Sequence, residues 1–293
     1  MKIQHLRHKD IDFEKWDNAM NLCTNRLCYA NSWFLNIVSP KWEALVSEDY
    51  NYLMPLPVKR KYKIPYIVQP HLAQQLGVFS TFEIDDEVLQ MFIKNIPYYS
   101  YEINLNENNK HEEVICKKNY ILKLNEPYSK LQTQFSKNTN RNIAKTKKQK
   151  VIIQKNISLE AYLNFYYSIE KEFISSEKTV LQKLLSEGIE REQVTLYGAL
   201  DSDNQLIAAV CIFITEQRLT YLFPVSNNAG KQNSAMFMII NELIKENAGK
   251  DILLDFEGSQ IEGIARFYKG FGAINQPYYV LKKFRPGFLV GKI

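Results

Sequence analysis

The sequence predicts a mixed α/β (α+β) protein of two domains, and three observations support this. The chain has 293 residues, which suits two domains of roughly 100 to 200 residues better than one compact core. Its residues are 45% hydrophobic and 24% charged, as in ordinary globular proteins. Apolar runs with strand-like alternation are interspersed with segments of helical periodicity. We therefore expect a first domain over residues 1–125 and a second over residues 126–293.

The first domain is predicted to mix helices and strands. Helical spacing covers residues 12–22 and 86–95. Pro55 and Pro57 lack backbone donors, which predicts an edge position or a bulge for the strand that contains them. Alternating apolar residues predict strands in four runs, at 42–48, 50–63, 98–105 and 113–124, whereas residues 66–80 contain a short apolar run, a Pro break and an apolar stretch after Gly77.

A basic segment, residues 127–150, opens the second domain as a helical hairpin or a bent helix. Its second half carries six cations and no acid: Lys137, Arg141, Lys145, Lys147, Lys148 and Lys150. Such a run is either a solvated helix face or a surface that binds phosphates of tRNA or of a nucleotide-linked precursor. Arg141 and Lys145 lie one helical turn apart and are the best individual candidates for anion binding.

The rest of the second domain has a clear order of elements. A strand at 151–154 precedes two helices, and three apolar strands follow before a polar loop at 226–233. The later elements are a helix that Gly249 ends, a strand, a short helix and a last strand. The predicted bounds of the two helices are 158–173 and 177–189, and those of the three strands are 194–200, 205–215 and 218–225. The four later elements are predicted at 234–248, 251–257, 261–270 and 274–284.

The stretch LLDFEGSQ holds the candidate catalytic residues, because an apolar strand ends there in two carboxylates. Asp255 and Glu257, at positions i and i+2, share one face of the strand if it continues that far. Two nearby carboxylates raise the pKa of one of them, which suits a general base that takes a proton from an amine. Alternatively, Asp255 caps the next helix or pairs with Arg266, and Gly258 simply turns the chain.

Further polar residues around this strand are candidates for substrate or anion binding. Arg266 and Lys269 would hold an anionic donor or stabilise an oxyanion, or they are solvated residues near a helix C-terminus. The remaining candidates are Ser226 and Lys231 in the polar loop and Ser259 in the turn.

Three stretches resemble one family. The order of elements over 151–293 resembles the GNAT (N-acyltransferase) fold. "NSAMFMIINELIKENAGKDILLDFEGSQIEGIARFYKGFGA" is similar to the C-terminal half of the Fem-type (FemABX-like) peptidyltransferases. "SKNTNRNIAKTKKQKVII" resembles the basic segment that opens their second domain, and "MPLPVKRKYKIPYIVQPHLAQQLGVFS" resembles their first-domain core. The resemblance implies tandem GNAT-like domains, each a mixed, mostly antiparallel sheet flanked by helices.

The resemblance also implies a function. Fem-type enzymes move an amino acid from aminoacyl-tRNA to an amine of a cell-wall (peptidoglycan) precursor, so the expected partners are an acyl or aminoacyl donor and an amine acceptor. This chain lacks the Q/R-x-x-G-x-G/A loop with which ordinary GNAT enzymes hold acetyl-CoA, since residues 229–235 contain one Gly. We therefore expect no cofactor. Two alternatives stay open: an acyltransferase that uses a CoA-type thioester on a sugar or lipid amine, and a catalytically degenerate binding module.

Composition excludes several other classes of protein. The N-terminus has no apolar signal-peptide region, and no apolar stretch is long enough to span a membrane. Four Cys and four His show no metal-ligand spacing, so we expect no metal site. Scattered cysteines of this kind are typical of reduced thiols. The expectation is a soluble, cytoplasmic protein whose mild net charge of +5 suits an anionic ligand.

Overall fold

The computed structural model describes residues 1–111, 114–169, 175–258 and 260–283, without the side chains of residues 175 and 176. The chain forms two compact units. The first contains Met1–Lys118 and the described residues from Pro277 onward, and the second contains Asn119–Gln276. The first unit is therefore built from two separate stretches, with the second unit inserted between them.

Ten α-helices are described. Several begin at the side chains that the sequence provides for capping: Asp12, Asp85 and Ser136 each accept a hydrogen bond from the backbone N–H three residues later. The helices are α1 (Phe13–Leu22), α2 (Ser32–Val38), α3 (Asp86–Lys94), α4 (Tyr128–Thr133), α5 (Lys137–Lys148), α6 (Leu159–Ile169), α7 (Ser175–Glu190), α8 (Asn228–Gln232), α9 (Ala235–Asn247) and α10 (Glu262–Lys269).

Sixteen strands are described, and they form three sheets. They are β1 (Ile3–Leu6), β2 (Glu43–Ser47), β3 (Tyr52–Leu56), β4 (Val58–Lys61), β5 (Ile64–Val68), β6 (Phe79–Ser80), β7 (Tyr101–Leu105), β8 (Ile115–Lys117), β9 (Tyr120–Lys123), β10 (Ile152–Lys155), β11 (Val194–Leu200), β12 (Leu206–Ile214), β13 (Arg218–Ser226), β14 (Leu253–Asp255), β15 (Ile274–Asn275) and β16 (Tyr278–Lys283).

The first unit contains two sheets around an aromatic-rich core. Four strands follow the order β1-β2-β3-β6, and five follow the order β4-β5-β7-β16-β8. Trp16 of α1 and Trp42 before β2 are fully buried and meet edge to face, with ring centroids 4.8 Å apart. The buried indoles hold α1 against the first sheet, because such contacts add to the stabilisation from buried apolar area.

The second unit is built on one seven-stranded sheet with the order β10-β11-β12-β13-β14-β9-β15. All pairs are antiparallel except β13 and β14, which run parallel. Helix α9 belongs to the connection from β13 to β14, and it buries Ile239, Ile240 and Leu243 in the core. The mixed, mostly antiparallel sheet flanked by helices confirms the predicted fold class.

Three runs that were predicted to be single strands are each divided between two sheets. Residues 50–63 form β3 and β4, which separate at Pro57, and residues 113–124 include β8 and β9. The last run, 274–284, gives β15 and β16 with Pro277 between them, and its final residue lies outside the described part of the chain. Strand alternation marks apolar faces but does not indicate which sheet receives them, so these breaks could not be read from periodicity.

The boundary between the units also differs from the expected division at residues 125 and 126. Strand β9 pairs with β14 of the second unit, whereas β16 pairs with β7 and β8 of the first. The unit boundaries therefore fall after Lys118 and before Pro277. Within the described ranges, no helix combines the length and apolar character needed to cross a bilayer.

Candidate active site

The carboxyl end of β14 lies in the interior of the seven-stranded sheet, next to the parallel strand β13. The two strands pair only from Arg218 to Thr220 of β13 and from Leu253 to Asp255 of β14. Beyond Asp255 the chain follows β9 instead, because the Phe256 N–H donates to the Tyr120 carbonyl at 2.9 Å. Strand β13 continues to Ser226, so the neighbouring strands separate at this point. Ligands commonly bind at such strand ends in open α/β sheets.

Asp255 is fully engaged in a buried polar cluster. Its Oδ2 accepts from Arg218 Nη1 at 2.6 Å, and its Oδ1 accepts from Asn119 Nδ2 at 3.1 Å and from the Glu257 N–H at 2.9 Å. Both side chains of the ion pair are almost completely buried. Asp255 thus anchors the turn through Arg218, whereas Arg266 pairs with Glu262 on the exposed face of α10. Helix α10 has no side-chain cap.

Glu257 has the properties of an unsatisfied ionisable group. Its backbone has φ of 61°, in the left-handed region that a non-glycine residue adopts only when its surroundings enforce it. The side-chain Oε1 is buried and has no hydrogen-bond partner among the described residues. Burial raises the pKa of this carboxyl group to about 8. Glu257 is therefore poised to take up or release a proton near neutral pH.

Two more unsatisfied polar atoms lie around the same turn. In the described part of the second unit, the buried side-chain oxygens that lack a partner belong to Asn119, Thr220 and Glu257. Asn119 donates to Asp255, Thr220 is the register partner of Asp255 in β13, and the Glu257 N–H also bonds to Asp255. Buried polar atoms without partners are rare in native proteins and indicate a place where a ligand or water is bound.

Aromatic rings form the wall beside this turn. Phe256 stacks on Tyr268 of α10 with ring centroids 4.8 Å apart, and Tyr221 of β13 meets Phe256 at 5.9 Å. Burial, followed by the charges of Glu257 and Asp255, raises the pKa of Tyr268 far above its usual value. The Tyr268 hydroxyl therefore stays protonated and can only donate or accept hydrogen bonds.

The cations of α10 lie in a groove of about 630 Å³ between α10 and the start of α5. Arg266 and Lys269 line it together with Ser136, Asn138 and Thr139. Lys269 Nζ also lies 5.6 Å from the centroid of the Tyr120 ring, and the Tyr120 N–H donates to the Glu257 carbonyl at 3.1 Å. Lys269 therefore links the groove to the strand that holds the turn.

The other predicted binding residues lie elsewhere in the second unit. Arg141 and Lys145 are exposed on α5, where Arg141 bonds to Asn138 at 2.8 Å. Ser226 is half-buried at the end of β13, and Lys231 is exposed on α8, which occupies part of the predicted polar loop. Ser259 lies outside the described residues.

The start of α9 is covered by α5. Ser234 and Ala235 are buried, and Ser234 Oγ bonds to Asn142 Oδ1 at 2.9 Å. Thr146 Oγ1 lies within hydrogen-bond distance of the carbonyl oxygens of Asn233 and Ser234, at 2.8 and 3.1 Å. Because a neighbouring helix packs on this terminus, the backbone there offers little room for a pyrophosphate.

Comparison with solved structures identifies the architecture. FemX matches with a TM-score of 0.69 at 11% identity, over 96% of this chain and 97% of FemX. L-PGS from Bacillus licheniformis matches with a TM-score of 0.58 at 9% identity, over 92% of this chain and 91% of that one. A tandem GNAT protein from the clavulanic acid biosynthesis pathway matches with a TM-score of 0.53 at 7% identity, over 97% and 99% of the two chains. The chain has the Fem-type tandem GNAT fold.

Sequence comparison adds nothing to this identification. No family model and no curated protein matches the chain. The fold confirms the resemblance that the sequence motifs predicted, and at these identities it defines the architecture alone.

Two residues of the cluster were not found by sequence reasoning. Arg218 begins an otherwise apolar strand, where a cation is ordinarily read as an exposed end residue. Asn119 precedes β9 and gives no local signal, since its bond to Asp255 spans 136 residues of sequence. The positive charge of Arg218 at the start of a buried strand was the sequence signal for this cluster. Its role is evident only from the ion pair with Asp255.

Proposed function

We propose that this protein is a Fem-like N-acyl or aminoacyl transferase in which Glu257 is the general base. The observation that carries the proposal is the half-buried Glu257, whose buried Oε1 has no partner among the described residues and whose pKa of about 8 suits proton exchange with an amine. Asp255 is engaged with Arg218, so it acts as a positioning residue for the turn. The acceptor is an amine of a cell-wall-type precursor or another small molecule.

The reaction requires one proton transfer through Glu257. The acceptor nitrogen attacks the carbonyl carbon of the donor ester, forming the C–N bond, while the Glu257 carboxylate takes the nitrogen's proton. When the tetrahedral intermediate collapses, the C–O bond to the donor breaks, and the protonated Glu257 returns the proton to the leaving oxygen. Lys269, which adjoins Tyr120 at the groove, supplies positive charge for the oxyanion. No covalent enzyme intermediate is needed.

An aminoacyl ester is favoured as the donor over acetyl-CoA. The start of α9 is packed against α5 through Ser234, Asn142 and Thr146, and the chain has no glycine-rich loop there. The exposed cations Arg141 and Lys145 on α5, with Lys231 and Arg266 on neighbouring helices, offer contacts to the phosphates of a tRNA acceptor end.

The test is transfer of a labelled acyl group from either donor class to an amine. Purified protein is incubated with labelled aminoacyl-tRNA or labelled acetyl-CoA and a peptidoglycan-precursor amine, and the labelled amide is measured. We expect amide from aminoacyl-tRNA, and a loss of roughly 10²- to 10⁴-fold in Glu257→Gln. The matched control is Glu262→Gln, which removes an exposed carboxylate of α10. Equal activity in wild type and Glu257→Gln would refute the general-base role, whereas amide from acetyl-CoA alone would assign a CoA-type donor. Binding of a donor with no transfer would indicate a binding module.

A further inference from the structure

The hairpin of β4 and β5 in the first unit carries exposed residues that the proposed transfer does not use. Lys61 of β4 is the register partner of Ile64 of β5, so Tyr62 and Lys63 form a two-residue turn. Strand β4 lies at the edge of the five-stranded sheet, and β5 pairs with β7 only through its last two residues. The outer half of the hairpin therefore extends beyond the paired part of the sheet.

The backbone of this turn is unfavourable for the two residues that occupy it. Tyr62 has φ of 51° and Lys63 has φ of 67°, the pair of positive values that defines a type I′ turn. Asn-Gly is strongly preferred in such turns, and a positive φ is a genuine outlier for a bulky residue. Burial does not explain the tyrosine either, because Tyr62 is 78% exposed. A strained and exposed aromatic residue indicates a function at the tip of the hairpin.

The tip combines positive charge with apolar surface. Residues 59–64, KRKYKI, are all cationic or apolar, and the sequence contains no acid from residue 50 to residue 82. Ile64 is 46% exposed beside the turn. Within the described ranges, Lys61 and Lys63 form no ion pair with a carboxylate. The tip thus presents an aromatic and an aliphatic side chain surrounded by cations that the protein itself does not neutralise.

We propose that this tip docks the protein on the surface of a bilayer that contains anionic lipids. Tyrosine favours the membrane–water interface, because its ring is apolar and its hydroxyl group stays hydrated. Ile64 adds apolar area that the boundary between headgroups and acyl chains can bury. The lysines are attracted to anionic headgroups at the same level, and each one increases the affinity about fivefold.

The composition of the tip favours a bilayer over other anionic partners. Single-stranded RNA is held by bases that stack on aromatic rings, and an aliphatic residue such as Ile64 offers no such surface. A protein interface of standard size uses about 20–30 residues on each side, whereas the tip presents the short stretch 59–64. A small apolar point among cations fits a lipid surface best.

The experiment measures sedimentation of the intact protein with vesicles of phosphatidylglycerol and of phosphatidylcholine. The tip variant is Tyr62→Asn/Lys63→Gly, which removes the ring and one charge but supplies the residues that a type I′ turn prefers. It should therefore unfold at the wild-type temperature or above it. The control, Lys94→Gln/Tyr99→Asn, removes the same two residue types from exposed positions of the same unit. Ile64→Thr removes apolar area without a change in charge.

We expect binding to phosphatidylglycerol and little binding to phosphatidylcholine. Affinity for phosphatidylglycerol should fall about tenfold or more in the tip variant, fall several-fold in Ile64→Thr, and stay near wild type in the control. Glu257→Gln should also bind as wild type does, so the result is independent of the proposed transfer.

Three results would overturn the proposal. The first is the absence of binding to phosphatidylglycerol, and the second is an equal loss in the tip variant and the control. The third is wild-type vesicle binding by the tip variant together with a loss of its binding to unfractionated tRNA, which would assign the tip to RNA. A lower unfolding temperature for the tip variant would contradict the strain at Tyr62 and remove the reason for a function there.

Discussion

Glu257 concentrates three costs in one residue. Its φ of 61° costs of order 1–3 kcal/mol, its carboxyl group is desolvated, and its Oε1 has no partner among the described residues. Backbone hydrogen bonds hold it there, from the Tyr120 N–H to its carbonyl and from its own N–H to Asp255. Glycine or asparagine would occupy this conformation with less strain. A residue that is unfavourable for stability in several ways, and enforced by its neighbours, is expected where it serves a chemical function.

The first prediction concerns pH and stability. The folded-state pKa of Glu257, about 8, lies above the value of 4.5 that it has when exposed. The folded protein therefore binds more protons than the unfolded chain between these values, and the free energy of unfolding decreases as pH rises from about 4.5 to about 8. This single group contributes a slope of up to about 1.4 kcal/mol per pH unit.

Glu257→Gln should remove that slope, so the difference in stability between variant and wild type should favour the variant increasingly toward pH 8. Urea denaturation at several pH values measures it, with Glu262→Gln as the control that changes an exposed carboxylate. Parallel curves for wild type and Glu257→Gln would show that the Glu257 carboxyl group is solvated in solution.

The second prediction concerns the buried ion pair of Asp255 and Arg218. Asp255→Asn removes the carboxylate that forms the buried ion pair with Arg218, so we expect a loss of about 3–5 kcal/mol. The double variant Asp255→Asn/Arg218→Met removes both charges and should recover part of that loss. Chemical denaturation of the full double-mutant cycle gives the coupling energy. A cost below about 1 kcal/mol for Asp255→Asn would mean that the pair is exposed to water.

At the scale of elements, helix α8 packs so closely on the seven-stranded sheet that one added methyl group would collide with a strand. Helix α8 begins with Asn227, whose side chain accepts from the Gly230 N–H at 2.8 Å. Gly230, a residue of α8, packs directly against strand β12. A Cβ at this position would lie 2.1 Å from the Ile207 carbonyl oxygen. Gly263 on α10 is the opposite case, because a Cβ built there meets no atom within 4 Å.

The third prediction compares these two glycines. Gly230→Ala must displace α8 from β12, so we expect it to destabilise the protein by about 1–3 kcal/mol. Gly263→Ala should stabilise it by roughly 0.5–1 kcal/mol, because alanine has the better helix propensity and enough space. Thermal and urea unfolding measure both variants. If the two substitutions have the same effect, α8 does not pack directly on the β12 backbone.

At the scale of the whole molecule, the second unit is an insertion into a hairpin of the first. Tyr278 of β16 is the register partner of Lys117 in β8. The points where the chain leaves and re-enters the first unit therefore lie next to each other. The ends of the second unit are equally close, since the Gln276 N–H donates to the Asn119 carbonyl at 2.8 Å. Adjacent termini are typical of inserted domains.

The fourth prediction follows from this arrangement. A fragment of residues 119–276 should fold cooperatively, because its sheet and core are complete within that stretch. Residues 1–118 alone should not fold, since β16 lies between β7 and β8, and its absence leaves β8 outside the sheet and β7 paired with β5 alone. Joining residue 118 to residue 277 through a short Asn-Gly turn should restore folding of the first unit. Circular dichroism and thermal unfolding test each fragment, and a cooperative 1–118 fragment would contradict the interleaved pairing.

Sequence by itself determined the class of fold and most helices. Helical periodicity and capping residues are local, so α1, α3 and α9 could be predicted closely. Asp255 and Glu257 could be named as candidates in the same way, because an apolar run that ends in two carboxylates is visible without any long-range contact. The motifs that resemble Fem-type proteins were sufficient to predict the tandem GNAT fold.

Only the tertiary structure decided how the two carboxylates differ. Both are acids two residues apart, yet Asp255 meets Arg218 and Asn119 while the Glu257 Oε1 meets no described partner. The hydrogen-bond partners of Asp255 therefore come from residues 37 and 136 positions away in sequence. The assignment of β9 to the second unit and of β16 to the first could not be predicted from the sequence either. Strand alternation specifies which face is buried, whereas long-range packing determines which sheet the strand joins.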